Sequence, residues 1–186
     1  MVGSRKAPCQ GIRQACTLAA IVIMLLPRLG LGADLVLREA PVAVYFSPRG
    51  GAEDAVVAEV GRATESILVL AYSFTSPSIV TALVEAHRRG VRVELVLDKS
   101  QRSDKRSGTD EVAQAGILTR IDARHAIAHN KVMIIDGKKI ITGSFNFTRS
   151  AEERNAENLL IVESTELARL YKQEWDIHAG HSDRRQ

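Results

Sequence analysis

The sequence predicts an α/β domain built on a mixed, mostly buried β-sheet with helices on both faces. Three observations point there. Strand-like and helix-like segments alternate from Val42 to Ile177, the pattern of a layered α/β chain. Between Ile67 and Leu97 a strand, a helix and a second strand follow one another, and such a crossover joins parallel neighbours. Asp136-Gly137 between two apolar runs marks a tight antiparallel hairpin, so the sheet must be mixed.

The elements follow in order. Val42 to Phe46 reads as a short strand, Ser47-Pro48-Arg49-Gly50-Gly51 as a loop and Ala52 to Ala63 as a helix. Ile67 to Phe74 is a buried strand. Ser76-Pro77 then supplies an N-cap and a first-turn proline for a helix with apolar-face spacing at Ile79, Val80, Leu83, Val84 and His87, stopped by Gly90. Val91 to Leu97 is the next strand. From Asp98 to Asp110 the chain turns polar, and Lys99, Arg102, Lys105 and Arg106 alternate with serines and aspartates. That stretch is either an exposed, mobile, solvated loop or a rim that gathers phosphates. A short helix to Gly116, a strand from Ile117 to Ile121, the hairpin strands Asn130 to Ile135 and Lys139 to Gly143, a strand from Leu159 to Val162 and a closing helix from Thr165 to Ile177 complete the chain.

Residues 1–33 stand apart. Arg5, Lys6 and Arg13 precede an uncharged stretch from Ala15 to Leu26, and Pro27 and the small residues Gly30 to Ala33 follow it, the layout of a secretory signal peptide. That apolar stretch is 12 residues long, against the roughly 20 that a spanning helix needs. Cleavage after Gly32 or Ala33, export to the periplasm and one mature domain over residues 34–186 are therefore expected, with membrane attachment only if the leader stays on. Of the 25 basic residues, four lie in the leader, which leaves 21 against 22 acidic residues, a net of −1. The basic pI thus belongs to the leader and is no argument for a nucleic-acid partner. Cys9 and Cys16 lie there too, so the mature domain has no disulfide or thiolate chemistry.

The chemistry-bearing stretch runs from His129 to Leu160. Alternation along a strand puts His129 and Lys131 on one face. A four-residue loop from Asp136 to Lys139 would set Lys131 opposite Ser144 and His129 opposite Asn146. One hairpin would then gather a nucleophile or base, a cation and two neutral hydrogen-bond donors, which suits the charge spread over phosphoryl oxygens in a transition state.

His129-x-Lys131-x4-Asp136, followed by Gly143-Ser144-Phe145-Asn146, resembles the His-Lys-Asp motif of the phospholipase D superfamily. VYFSPRGGAEDAV, LAYSFTSPSIVTALVEAHRRGVRVELVLDKSQ and TGSFNFTRSAEERNAENLL extend the likeness to its small, single-motif bacterial endonucleases. The resemblance implies a phospholipase D-like sandwich in which His129 is the nucleophile that forms a phosphohistidine. Lys131, Ser144 and Asn146 would bind the phosphoryl oxygens, and Glu157 would accept a hydrogen bond from His129. Asp136 belongs to the implied catalytic set, although an aspartate before a turn glycine is also what the hairpin itself wants, and that favours a positioning role. With one motif per chain and a second acid–base group needed, the resemblance implies a homodimer with the active site at the two-fold axis. DNA or RNA is the expected substrate. Phospholipid head groups are the rival, and a non-catalytic nucleic-acid-binding module would be expected to lose part of the motif.

The remaining candidates read more plainly. His125 lies four residues before His129, but no third ligand is near it in sequence and the cysteines leave with the leader, so no metal site and no cofactor are expected. His178 and His181 read as polar-tail residues without a role, and His87 as a satisfied residue on the inner face of its helix. Phe145 and Phe147 read as core, and Ser73 and Thr75 as residues that would at most edge the site.

Overall fold

The computed structural model describes Met1 and residues 32–185. Of the expected leader, residues 2–31 lie outside the described residues. Within the unit Leu35–Gln186, eight strands form one sheet in the order β1-β7-β6-β5-β2-β3-β4-β8. They are β1 (Val42–Ser47), β2 (Ser66–Ala71), β3 (Arg92–Asp98), β4 (Leu118–Asp122), β5 (Lys131–Ile135), β6 (Lys139–Gly143), β7 (Glu157–Glu163) and β8 (Asp183–Arg184). The helices are α1 (Ala52–Arg62), α2 (Pro77–Arg88), α3 (Thr109–Gln114), α4 (Arg149–Glu153) and α5 (Thr165–His181). β2, β3 and β4 pair in parallel and the other pairings are antiparallel, which makes the expected mixed sheet.

Both faces carry apolar side chains because both are covered. On one face Val69, Leu95, Met133, Ile141 and Leu159 pack with Val56 and Val60 of α1, Ile79 and Leu83 of α2, and Val112 of α3. On the other, Leu68, Leu70, Val96, Val132, Ile134 and Ile140 pack under Ala168 and Trp175 of α5. Trp175 Nε1 donates to the Val69 carbonyl at 3.1 Å, so its one polar atom is satisfied. Phe145 and Phe147 are fully buried, as the alternation predicts. Ser76 caps α2, accepting from the Ile79 N–H at 3.3 Å, with Pro77 in the first turn.

Four expectations are corrected. The Asp136 loop has three residues, because Asp136 and Gly137 both take left-handed backbone (φ 53 and 61) and Lys138 N–H closes the turn on the Ile135 carbonyl at 3.0 Å. The register is therefore Ile135 to Lys139 and Met133 to Ile141, one residue away from the one predicted, and odd residues of β5 share a face with odd residues of β6. The polar stretch after β3 is not simply exposed. Lys99–Arg102 forms a 3₁₀ turn in which Gln101 is buried and accepts from the Phe74 N–H. α5 continues four residues beyond Ile177, to His181. Finally, His87 is not satisfied, since its Nδ1 is buried without a partner.

Candidate active site

The C-terminal ends of the parallel strands β2 and β3 and the neighbouring ends of β5, β6, β7 and β1 meet along one edge of the sheet, where ligands bind in open α/β folds. Ala71 pairs with Lys131 across β2 and β5, Gly143 with Leu159 across β6 and β7, and Ser47 with Glu157 across β1 and β7. The polar side chains of Ser47, Lys131 and Glu157, far apart in sequence, are thus delivered to neighbouring strand ends.

Lys131 opens β5 and is 8% exposed. Its Nζ donates to the His129 carbonyl at 2.8 Å and lies 5.1 Å from the centre of the Tyr72 ring. The His129 ring, itself exposed, packs against the same tyrosine with ring centres 4.6 Å apart. Burial lowers the Lys131 pKa below the ordinary lysine range, while the charge of Glu157 opposes the shift. A desolvated ammonium with one contact to a neutral carbonyl has donors to spare for an anion. Tyr72, next to Ser73, reaches the site because its N–H bonds to the Asn130 carbonyl at 2.8 Å. No local signal marks it, since the β2–β5 pairing joins residues far apart in sequence.

Ser144 and Asn146 follow β6 out of the sheet. Gly143 has φ 146, and a Cβ there would sit 2.3 Å from the Asn158 carbonyl, so a side chain at this position would clash. Just beyond it, the N–H groups of Ser144 and Phe145 both reach that carbonyl, at 3.1 and 3.2 Å. This doubled contact acts as a bulge that re-aims the following side chains. Ser144 Oγ accepts from Asn158 N and Nδ2 at 3.0 and 3.3 Å, leaving its hydroxyl proton free to donate. Asn146 Oδ1 is buried without a partner. Glu157 Oε1 accepts from Asn155 Nδ2 at 3.1 Å, not from His129 of the same chain.

Asp136 lies at the opposite end of β5. Its carboxylate accepts the N–H groups of Thr64, Glu65 and Ser66 at 3.0, 2.8 and 2.9 Å, and the Thr64 hydroxyl at 3.1 Å. Burial by itself would raise its pKa, but the Ser66, Glu65 and Thr64 donors outweigh it and hold the carboxyl below its ordinary value. The structure makes Asp136 a positioning residue that ties the hairpin turn to the start of β2, and this corrects its place in the expected catalytic set.

The basic stretch after β3 is largely spent on internal contacts. Lys99 Nζ donates to the His125 carbonyl, Arg102 pairs with Asp183 and Arg106 with Asp104, which weakens the phosphate-rim reading. The expectation that no metal ligands cluster is overturned. Asp122, His125, His178 and His181 bring one ligand atom each to within 4.8 Å of one another. His178 and His181, set aside as tail residues, stand on the α5 extension.

A mixed sheet covered by helices on both faces, with a histidine, a desolvated lysine and a carboxylate at its open edge, makes an α/β protein with a site suited to an anion such as a phosphate. Residues 56–178 match the family model described as cardiolipin synthase, PLD-like domain, and the chain belongs to this phospholipase D-like family. It is 46% identical over 139 residues to a phospholipase D of Rickettsia felis, covering 75% of this chain and 70% of that one. Among solved structures it is similar to the phospholipase D family member Nuc from Salmonella typhimurium (36% identity, TM-score 0.77, 80% of this chain and 99% of that one). The fold is also shared with NucT from Helicobacter pylori (24% identity, TM-score 0.74, 79% of this chain and 100% of that one). The chain is thus a phosphodiesterase of the phospholipase D superfamily.

Proposed function

We propose that the chain is an endonuclease that cleaves nucleic-acid phosphodiester bonds through a phosphohistidine intermediate, working as a homodimer. The observation that carries this reading is the Lys131 ammonium, desolvated, 2.8 Å from the His129 backbone carbonyl and short of acceptors. A bound phosphodiester would complete its coordination and lie against the exposed His129 ring. A neutral His129 nitrogen attacks phosphorus, the P–O bond to the leaving group breaks, and a second, protonated histidine gives its proton to the departing oxygen. Water activated by that second histidine then splits the P–N bond and frees His129. Lys131, Ser144 and Asn146 would hold the non-bridging oxygens.

One chain supplies one motif histidine, so the second is His129 of a twin across a two-fold axis. Two lysines then provide the positive charge at the phosphate, and the chemistry calls for no metal there. Support for pairing comes from the edge strand β1. Val42, Val44 and Phe46 are 52, 50 and 65% exposed, on the face of β1 that α5 leaves bare. The next residue, Ser47, pairs with Glu157.

A second reading, hydrolysis of phospholipid head-group phosphodiesters, is favoured by the name of the Rickettsia felis relative. Assays of the exported protein on plasmid DNA, RNA and phosphatidylcholine vesicles in parallel decide. Cleavage of vesicle lipid with intact nucleic acids overturns the nuclease reading. Export to the periplasm rests on the charge and apolar layout of residues 1–33. An N-terminal sequence of the exported protein that begins at Met1 would leave a membrane-anchored form in its place.

A further inference from the structure

Asp122 ends β4 with a side chain that is fully buried, and the two oxygens of its carboxylate do different things. Oδ1 is fixed by backbone donors, the N–H groups of Arg124 at 2.9 Å and His125 at 3.4 Å. Oδ2 faces three imidazoles at once, with His125 Nδ1 at 2.8 Å, His178 Nδ1 at 2.6 Å and His181 Nε2 at 3.1 Å. The three rings lie 4.8, 5.2 and 5.5 Å apart, centre to centre. His178 and His181 are three residues apart on the last turn of α5, which places both on one face of the helix. His178 is 5% exposed, and its other ring nitrogen lies 3.4 Å from the Glu174 carboxylate.

Hydrogen bonding alone accounts poorly for this arrangement. One carboxylate oxygen has two lone-pair directions, and three imidazoles compete for them. Charging all three rings would crowd cations about 5 Å apart in a partly buried site. A dication resolves the conflict, because it takes one oxygen and three neutral nitrogens as a complete tetrahedral set. Around zinc, with bonds of about 2.0–2.2 Å, ligand atoms stand roughly 3.3 Å apart. The contacts to Oδ2 need to open by less than an ångström to reach that spacing, and the widest ligand separation of 4.8 Å must close by about 1.5 Å. Glu174 beside the outer nitrogen of His178, and backbone donors on the free carboxylate oxygen, are the outer-shell supports that metal-bound histidines and carboxylates carry.

We propose that Asp122, His125, His178 and His181 bind one zinc ion. Four protein ligands close the site and leave no position for substrate, so the ion is structural. It clamps the end of α5 and the loop after β4 onto the sheet. That loop, residues 123–130, carries both His125 and His129 and is held a second time where Ala128 N–H bonds to Asp98 at 2.8 Å. The zinc would therefore fix the segment that presents His129.

The test uses the full chain without an affinity tag, purified without chelator. Elemental analysis should find close to one zinc per chain. After stripping with a strong chelator, zinc at about a hundredfold excess over its Kd should raise Tm by roughly 5–10 °C. An ion that leaves only as the protein unfolds is the same result in stronger form. Cobalt(II) in its place should show the visible absorption of a four-coordinate ion. His125→Ala, on the exposed loop and least apt to disturb folding, should weaken zinc binding at least about a hundredfold, and His181→Ala similarly, whereas His87→Ala should leave it unchanged. A zinc-free chain whose Tm zinc does not raise overturns the proposal, as does zinc binding that His125→Ala and His181→Ala both leave intact. The cluster is then a hydrogen-bonded clamp.

Discussion

Lys131 and His129 differ in how much of their role a strand pattern can carry. The two-residue spacing places them together, but the low exposure of Lys131, its contact with the His129 carbonyl and the Tyr72 ring against both come from neighbouring strands. His129→Asn should reduce phosphodiester cleavage by at least about a hundredfold with the fold intact by circular dichroism, since a lost acid or base alone costs roughly 10²- to 10⁴-fold. Lys131→Ala should cost about 2.7–4 kcal/mol of transition-state stabilisation in kcat, and an unchanged kcat would remove it from the site. The pH profile follows from the sign of the lysine shift. Burial lowers the Lys131 pKa, so activity that needs the ammonium should fall on the alkaline side before an ordinary lysine would titrate. Glu157 stabilises the charged form, and Glu157→Gln should move that alkaline limb to still lower pH. A limb that stays in place would separate Glu157 from Lys131.

At the scale of elements, the β5–β6 hairpin was legible as a hairpin and misread in register. Asp136-Gly137 announces the turn, but the count of loop residues depends on left-handed backbone at both positions and on Lys138 standing outside the ladder. The one-residue difference decides which side chains share a face. The Gly143 bulge then redirects the Ser144 segment. Asp136 belongs to the same element by virtue of its bonds to Thr64, Glu65 and Ser66. Asp136→Asn keeps a residue tolerant of left-handed backbone but loses an accepting oxygen. It should lower stability by about 1–2 kcal/mol, or Tm by roughly 2–8 °C, with kcat changed by no more than a few-fold. The pKa of Asp136 is depressed in the folded state, so its stabilisation is present above the ordinary carboxylate value of about 3.9 and is lost as pH falls through the folded-state pKa. The difference in urea midpoint between wild type and Asp136→Asn should accordingly narrow in acid. A gap that is constant with pH would assign the loss to something other than the carboxylate charge.

For the whole molecule, the proposed homodimer, with one motif per chain, would make turnover a property of two chains. Dilution below the dimer dissociation constant should remove activity per chain, and mixing with excess His129→Asn chains should suppress wild-type activity once subunits have exchanged. Constant specific activity through confirmed exchange would mean that each chain holds a complete site. Phe46→Glu tests where the chains meet. Phe46 is 65% exposed, so the folded chain should tolerate the change. A charge on the bare β1 face, at its end beside Ser47, should lower the sedimentation coefficient toward that of a monomer and take the activity with it. A dimer that survives the substitution places the interface elsewhere.

Patterns local in sequence determined the α/β class, the βαβ unit, the Ser76-Pro77 helix start, the buried Phe145 and Phe147, and the family motif, because period, caps and turn dipeptides act over a few residues. Tertiary structure decided whatever depends on non-local pairing. Tyr72 meets His129 and Lys131 across β2 and β5, and Glu157 reaches the same edge through β7. The Asp136 carboxylate turns away from the site to hold the Thr64–Ser66 backbone. His125, His178 and His181 converge on Asp122 only because α5 runs on to His181 and packs against the end of β4. In sequence, His178 lies 53 positions after His125, and no local spacing rule spans them; the fold brings their ring nitrogens onto one carboxylate oxygen.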